Sequence, residues 1–253
     1  MLISRTFLSS LFIGLLLNAP LSAKPQAELI YTPAQTAQEA AIQRQIKQSG
    51  SGEEVVALIN DTLTLPRSLR IVFGADDGPL YDPEYREILI PYDFIEEVNT
   101  RFVAAKYAST GVTPTQATED ALIHTLFHEL GHALIDLYQL PVVGKEEDAV
   151  DALANVLLIE FYEQGQETVL SAADLFDLES TDRDTLEDAD FWDEHSLDEQ
   201  RYYSALCHVY GSAPDKYASL LKQAGISEDR AELCISEYQA LASNWFRLLK
   251  IKH

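Results

Sequence analysis

Apolar side chains recur at helical spacing along most of this chain, and only two short stretches read as strands. Helical patterning starts near Ala37, stops at Gly50-Ser51-Gly52 and resumes from Glu53 to about Asn60. Leu69-Arg70-Ile71-Val72-Phe73 and Glu87-Ile88-Leu89-Ile90 are the strand candidates, the second ended by Pro91. Two short strands are not stable alone, so they must pack on helices. Pro25 to Thr36 reads as a loose lead-in, and Gly74 to Asp82, rich in Gly, Asp and Pro, as turn material.

From Asp93 to about Tyr107 the pattern is helical again. Thr113 is a good N-cap, with Pro114 at the first helical position and Gln116 where a capping box places its return partner. That opens a long helix to about Tyr138. Pro141 and Gly144 break the chain, and a helix from about Glu146 to Tyr162 follows. The stretch from Ala173 to Glu199 carries twelve acids and one Arg. It lacks the glycine spacing of an EF-hand loop and reads as a solvated connection. Ser196 and Glu199 suggest another capping box, opening a helix that holds Cys207 and ends at Gly211. Helices from Pro214 to Ala224 and from about Glu228 to Leu249 complete the chain. There is no internal repeat and no Ser/Pro-rich linker. The expected fold is a mainly helical α+β domain over residues 24–253, with a small sheet and a helical C-terminal part from about residue 196.

The N-terminus changes the picture. Met1 to Arg5 is a short segment with one positive charge, Thr6 to Leu17 is almost wholly apolar, and Asn18 to Ala23 supplies a break and small residues. That is the layout of a secretory signal peptide cleaved after Ala23. The apolar run is shorter than the ~20 residues of a spanning helix, so a protein soluble outside the cytoplasm is expected, with no membrane insertion after cleavage. The formal charge of -23, from 41 acids against 18 Lys and Arg, disfavours nucleic acid and anionic lipid as partners. In an oxidising compartment the two cysteines, Cys207 and Cys234, are expected to be bridged rather than free.

The chemistry sits on the long helix, in His128-Glu129-Leu130-Gly131-His132. Histidines four apart differ by roughly 40° in azimuth and ~6 Å in rise, so both imidazoles can face one metal ion. Zinc suits two imidazoles and a carboxylate, and Glu129 can act as general base toward water that zinc acidifies. Metzincin-type sites need Gly and His three and six residues after the second His. Here those positions are Ile135 and Tyr138, which excludes that class. The next helix offers Glu147 as third ligand, with Glu146 and Asp148 as rivals. Four residues on, Asp151 can accept the spare N–H of His128, or of His132. His124 lies ~12 Å along the helix from His132, too far for the same ion. His195 is the leading candidate to stabilise an oxyanion, ahead of His208, Tyr202 and Arg201. Gly131, costly in mid-helix, implies a segment packed on its bare backbone. Either strand could be the edge that pairs with an extended peptide.

Three segments carry a resemblance: His128 to Leu134, Glu146 to Ala149, and Asp193-Glu194-His195-Ser196-Leu197-Asp198-Glu199-Gln200-Arg201. With Leu206 to Ser212 and Arg230 to Cys234, they resemble a bacterial family of exported domains of unknown function described as metallopeptidases. The likeness covers roughly residues 54 to 250. It implies a zincin-like fold with a gluzincin arrangement on His128, Glu129, His132 and Glu147, and it favours a Cys207–Cys234 bridge. The expected activity is zinc-dependent hydrolysis of a peptide or protein substrate. A catalytically inactive zinc-stabilised binding protein, or a hydrolase of a non-peptide amide such as a cell-wall linkage, are the alternatives.

Overall fold

The computed structural model describes residues 26–251. The expected signal peptide, residues 1–23, lies outside them. Among the described residues the chain forms a mainly helical α+β structure with a four-stranded sheet. The sheet comprises β1 (Ala27–Tyr31), β2 (Leu69–Phe73), β3 (Leu80–Asp82) and β4 (Glu87–Ile90) in the order β1-β2-β4-β3. β1 pairs parallel with β2 and β2 parallel with β4, whereas β3 runs antiparallel to β4.

Two expectations are corrected here. The lead-in contains β1, whose in-register parallel pairing with Leu69–Phe73 uses a partner some forty residues away, invisible to local pattern. The turn material contains β3, a three-residue strand between Pro79 and Pro83. As a result neither Leu69–Phe73 nor Glu87–Ile90 is an edge: both are interior, and the edges are β1 and β3. Leu69, Ile71, Phe73, Ile88 and Ile90 are wholly buried and join Leu126, Leu130 and Leu134 in one core.

Helices α1 (Ala37–Ser49) and α2 (Ser51–Thr62) are separated by Gly50 alone. They are followed by α3 (Tyr92–Ala104), a 3-10 turn at Tyr107–Thr110, and α4 (Pro114–Tyr138). Thr113 Oγ1 accepts the Gln116 N–H at 3.2 Å, which caps α4. The return half of that box is absent because the Gln116 amide donates instead to Asp120. α4 is buried on nearly every face, as the central helix of a fold must be. It is wrapped by α3, α5 (Glu146–Phe161) and α6 (Gly165–Ser180), with α2, β3 and β4 also in contact.

α6 is a further correction. The acid-rich stretch from Ala173 is not a solvated connection throughout: Ala173, Leu175 and Phe176 are buried on this helix. Its acids mostly lie away from the core stripe. Only beyond Ser180, through the short α7 (Asp188–Trp192), is that stretch largely solvent-facing. α8 (Asp198–Ser212) starts one residue later than the expected Ser196 cap: the Gln200 side chain accepts the Leu197 N–H at 3.2 Å. α9 (Ala218–Ala224) and α10 (Glu228–Leu249) follow, and α8 lies against both α6 and α10. Cys207 of α8 and Cys234 of α10 form a disulfide with Cα atoms 5.1 Å apart.

Candidate metal centre

α4 and α5 carry the centre between them. Their separation is set at Gly131, where an added Cβ would lie 2.7 Å from Val150 Cβ. A larger residue at 131 would therefore push α5 away. At this close approach Glu147 and Asp151, which flank Val150 on α5, stand opposite His128 and His132.

Each imidazole then has one nitrogen on a carboxylate and the other turned inward. His128 Nδ1 lies 2.7 Å from Asp151 Oδ1, and His132 Nδ1 lies 2.9 Å from Glu146 Oε1. The inward Nε2 atoms approach a single oxygen, Glu147 Oε2, at 3.1 Å from His128 and 3.4 Å from His132. A third imidazole joins from the segment before α8: His195 Nε2 is 2.9 Å from the same oxygen. His128, Glu147 and His195 each bring one ligand atom within 4.8 Å of the others, a group able to hold a metal ion.

The residues present fit such an ion. Glu147 Oε2 is buried and makes no hydrogen bond of acceptable direction, although three nitrogens stand around it. A buried carboxylate oxygen without a partner is expensive, and a cation among these donors removes that cost. The donor set of imidazole and carboxylate is the one zinc takes. In a tetrahedral zinc site adjacent ligand atoms stand about 3.3 Å apart, comparable with the 2.9 to 3.4 Å found here.

Electrostatics follow the same geometry. Burial opposes charge on Glu147, yet the three imidazoles hold its carboxyl far below the usual range. Burial likewise opposes charge on Asp151, but His128 and Arg201 keep it well below the usual range. Arg201 grips Asp151 with two bonds, Nε to Oδ2 at 2.7 Å and Nη2 to Oδ1 at 3.0 Å, and its guanidinium lies 3.9 Å from the Phe176 ring centre. Burial would depress His128, but Asp151 and Glu147 raise it to about 9. Glu129 is buried beside the cluster. Burial raises its pKa, partly offset by His128 and His132 and by the backbone N–H of Tyr81. A raised carboxyl next to a metal site is the state a general base needs.

The centre opens into a cleft of about 690 Å³. Leu80, Ile135 and Leu140 supply apolar wall, while Glu129, His132, Glu147 and His195 face the space. β3 forms one side, held to α4 by Tyr81, whose hydroxyl donates to Asp136 at 2.8 Å.

The other candidates sit elsewhere. Asp148 turns toward a smaller cavity behind Asp151, not into the cleft. Arg201 lines that rear cavity as well and is committed to Asp151. His208 is joined through Asn155 to His124, at 3.1 Å on each side. Tyr202 packs partly buried on the core. Arg201, His208 and Tyr202 are thus outside the cleft, where an oxyanion would form. Sequence reasoning missed four contacts: the Glu146 carboxylate on His132, the Arg201 grip, the Tyr81 backbone at Glu129, and Lys145. The Lys145 ammonium donates to the carbonyls of Asp193 and His195 at 2.9 and 3.0 Å. No local sequence signal marks the Arg201 and Lys145 contacts, since each joins residues about fifty apart.

Fold and centre together define a mainly helical α+β protein with a His/Glu cluster able to hold a metal ion, opening into a cleft. The chain belongs to the family described as "Putative metallopeptidase", whose match spans residues 31–249. Nothing among curated proteins or solved structures matches the chain.

Proposed function

We propose that this protein is a zinc-dependent peptidase acting outside the cytoplasm. The observation that carries the reading is the convergence of His128 and His132 on the buried Glu147 Oε2, which no well-directed hydrogen bond satisfies, with Glu129 beside them. His128, His132 and Glu147 would hold the ion. Bound there, zinc supplies a Lewis acid that polarises a carbonyl and brings the pKa of water toward about 7. Glu129, raised by burial, takes the proton of the attacking water and passes it to the leaving amine. His195 lines the same cleft, where its imidazole can meet the developing oxyanion.

The cleft supports a peptide as substrate. It is open, has apolar wall beside the centre, and is bordered by an edge strand. That edge is short. Prolines 79 and 83 have no N–H, and the Tyr81 N–H is turned to Glu129, so β3 offers mainly carbonyls to a substrate. Export is supported by the Cys207–Cys234 disulfide and by the apolar leader. No helix among the described residues is long and apolar enough to cross a membrane.

Zinc stoichiometry and cleavage of a peptide library test the reading, comparing wild type with Glu129→Gln. One zinc per chain and turnover lowered by more than about 100-fold in the variant are expected. Zinc with no cleavage by either protein would instead indicate a zinc-stabilised binding protein. Cleavage of purified peptidoglycan alone would indicate a cell-wall amide.

A further inference from the structure

His195 is the member of the cluster that neither α4 nor α5 carries. It lies between α7 and α8, in a segment whose preceding helix α7 has no buried residue. Yet its Nε2 takes the same place as those of the two helix-borne histidines. His128 and His132 turn Nδ1 to Asp151 and Glu146 and point Nε2 at Glu147 Oε2. His195 turns Nδ1 toward Asp193 Oδ1 at 3.6 Å and points Nε2 at the same Glu147 oxygen, at the shortest of the three distances. A carboxylate on Nδ1 keeps the proton there and leaves Nε2 free to ligate in His128 and His132. Asp193 at 3.6 Å makes no hydrogen bond to His195 Nδ1, so His195 shares the placing of Nε2 alone. The His195 ring also lies nearly parallel to that of His128, with centres 6.1 Å apart and planes at 17°.

We propose that His195 is a fourth protein donor to the metal, brought to the centre by a loop that Lys145 latches. This rests on the metal-centre reading above. Lys145 directly precedes α5, the helix of Glu147, and its ammonium ties down the carbonyls of Asp193 and His195. Asp193 closes the turn by accepting the His195 N–H at 2.9 Å. The latch is two hydrogen bonds from the exposed Lys145, so lifting the loop costs little compared with moving α4 or α5. Zinc with four protein donors is closed, whereas a catalytic site keeps one position open. The loop therefore gates the centre: latched, it protects a loaded ion, and lifted, it frees a position for water and substrate. His195 then meets substrate only after leaving the ion.

Zinc affinity by competition with a chelator tests this, on wild type, His195→Ala, Lys145→Met and Lys145→Arg. A second readout is the rate at which excess chelator strips the ion, which reports lifting of the loop. Loss of His195 is expected to weaken zinc binding by more than about tenfold, the lower bound for losing even an outer partner of a ligand. Lys145→Met should weaken it less, and Lys145→Arg should restore it. Chelator should strip zinc faster from His195→Ala and Lys145→Met than from wild type. Equal zinc affinity and equal stripping rates in wild type and His195→Ala would overturn the proposal and leave the peptidase reading standing. A wild type that binds no zinc overturns both, and one that binds zinc through His195 but cleaves no peptide overturns the peptidase reading alone.

Discussion

Gly131 on α4 and Val150 on α5 are in backbone-to-side-chain contact, with no room for a Cβ at position 131. Val150 is wholly buried and sits between Glu147 and Asp151 in sequence. The contact therefore fixes the height at which both carboxylates meet the histidines. It also explains why a helix otherwise well suited to its sequence keeps a glycine at its centre.

Replacing Gly131 sets two effects against each other. Alanine would gain ~1 kcal/mol of helix propensity, but its Cβ would stand 2.7 Å from Val150 Cβ, and overpacking of a tight core costs ~1–3 kcal/mol. Gly131→Ala is expected to lose about 1 kcal/mol net in urea unfolding and to bind zinc more weakly. Gly131→Val should be worse in both respects. Val150→Ala should relieve Gly131→Ala only in part, since it removes the Cγ1 contact at 2.9 Å but keeps the Cβ at 2.7 Å. Stabilisation of the chain by Gly131→Ala alone would show that the contact does not hold the helices at their spacing.

Arg201 gives a second separation of stability from site. It is paired with Asp151 in a mostly buried bidentate bridge, and Asp151 orients His128. Removing one partner of such a pair costs ~3–5 kcal/mol because the other charge is stranded. Arg201→Met is expected to lose stability on that scale and to weaken zinc binding about 10- to 100-fold. In the double variant Arg201→Met/Asp151→Asn much of the stability should return, while zinc affinity should not. Thermal unfolding of the metal-free chain and chelator competition measure the two effects independently.

The elements with strong local signals were legible in the sequence, and those made by distant pairing were not. Thr113-Pro114 marks the start of α4, and the i, i+4 histidines follow from one helix. β1 has no such mark, because its strand character comes from pairing with Leu69–Phe73. β3 is too short to show alternation between its two prolines. α6 did carry its signal: Val169, Ala172, Ala173 and Phe176 are spaced as a helix stripe and all are buried. Counting acids from Ala173 onward cut through that stripe and hid it. Charge on the outer face said nothing about the inner one.

At the centre, the sequence placed the candidates on two helices but not their contacts. Glu146, Glu147 and Asp148 are consecutive and so point in three directions, and only the packing of α5 on α4 decides which one each histidine meets. The result divides them: Glu147 faces the Nε2 atoms, Glu146 meets His132 Nδ1, and Asp148 turns to the rear cavity. His195 was visible as a polar residue before a helix. That it shares an oxygen with His128 and His132 depends on the Lys145 tie across about fifty residues.

Two further histidines predict a pH dependence of folding. His124 and His208 lie at either end of Asn155, and burial lowers both to about 4 from an ordinary 6.5. Between these values the unfolded chain binds protons that the folded chain refuses, so stability rises with pH across this window and falls as pH drops from about 6.5 to 4. Each histidine contributes a slope of at most about 1.4 kcal/mol per pH unit. Glu179 acts oppositely: burial raises it to about 7, which adds stability as pH falls through 7. Comparing wild type with His208→Gln cancels that contribution. For the metal-free proteins, urea unfolding should show a slope shallower by about 1 kcal/mol per pH unit in the variant. Equal slopes would mean that His208 titrates normally in the fold.

The disulfide should govern stability without governing the centre. Cys207 and Cys234 close a loop with a sequence separation of 27, and the chain-entropy model gives such a loop about 3.5 kcal/mol. The bridge lies between α8 and α10, whereas the candidate ligands lie on α4, α5 and the segment before α8. The two helices also meet without it: Gly211 packs so closely on the Cys234 carbonyl that a Cβ there would be 2.3 Å from the oxygen. A Cys207→Ala/Cys234→Ala variant is therefore expected to keep its helix docking and its zinc stoichiometry while losing about 3.5 kcal/mol in urea unfolding. Reduction of the wild type should reproduce that loss. A double variant that no longer binds zinc at a temperature where its circular dichroism is native would show that α8 needs the bridge to hold Arg201 and His195 in place.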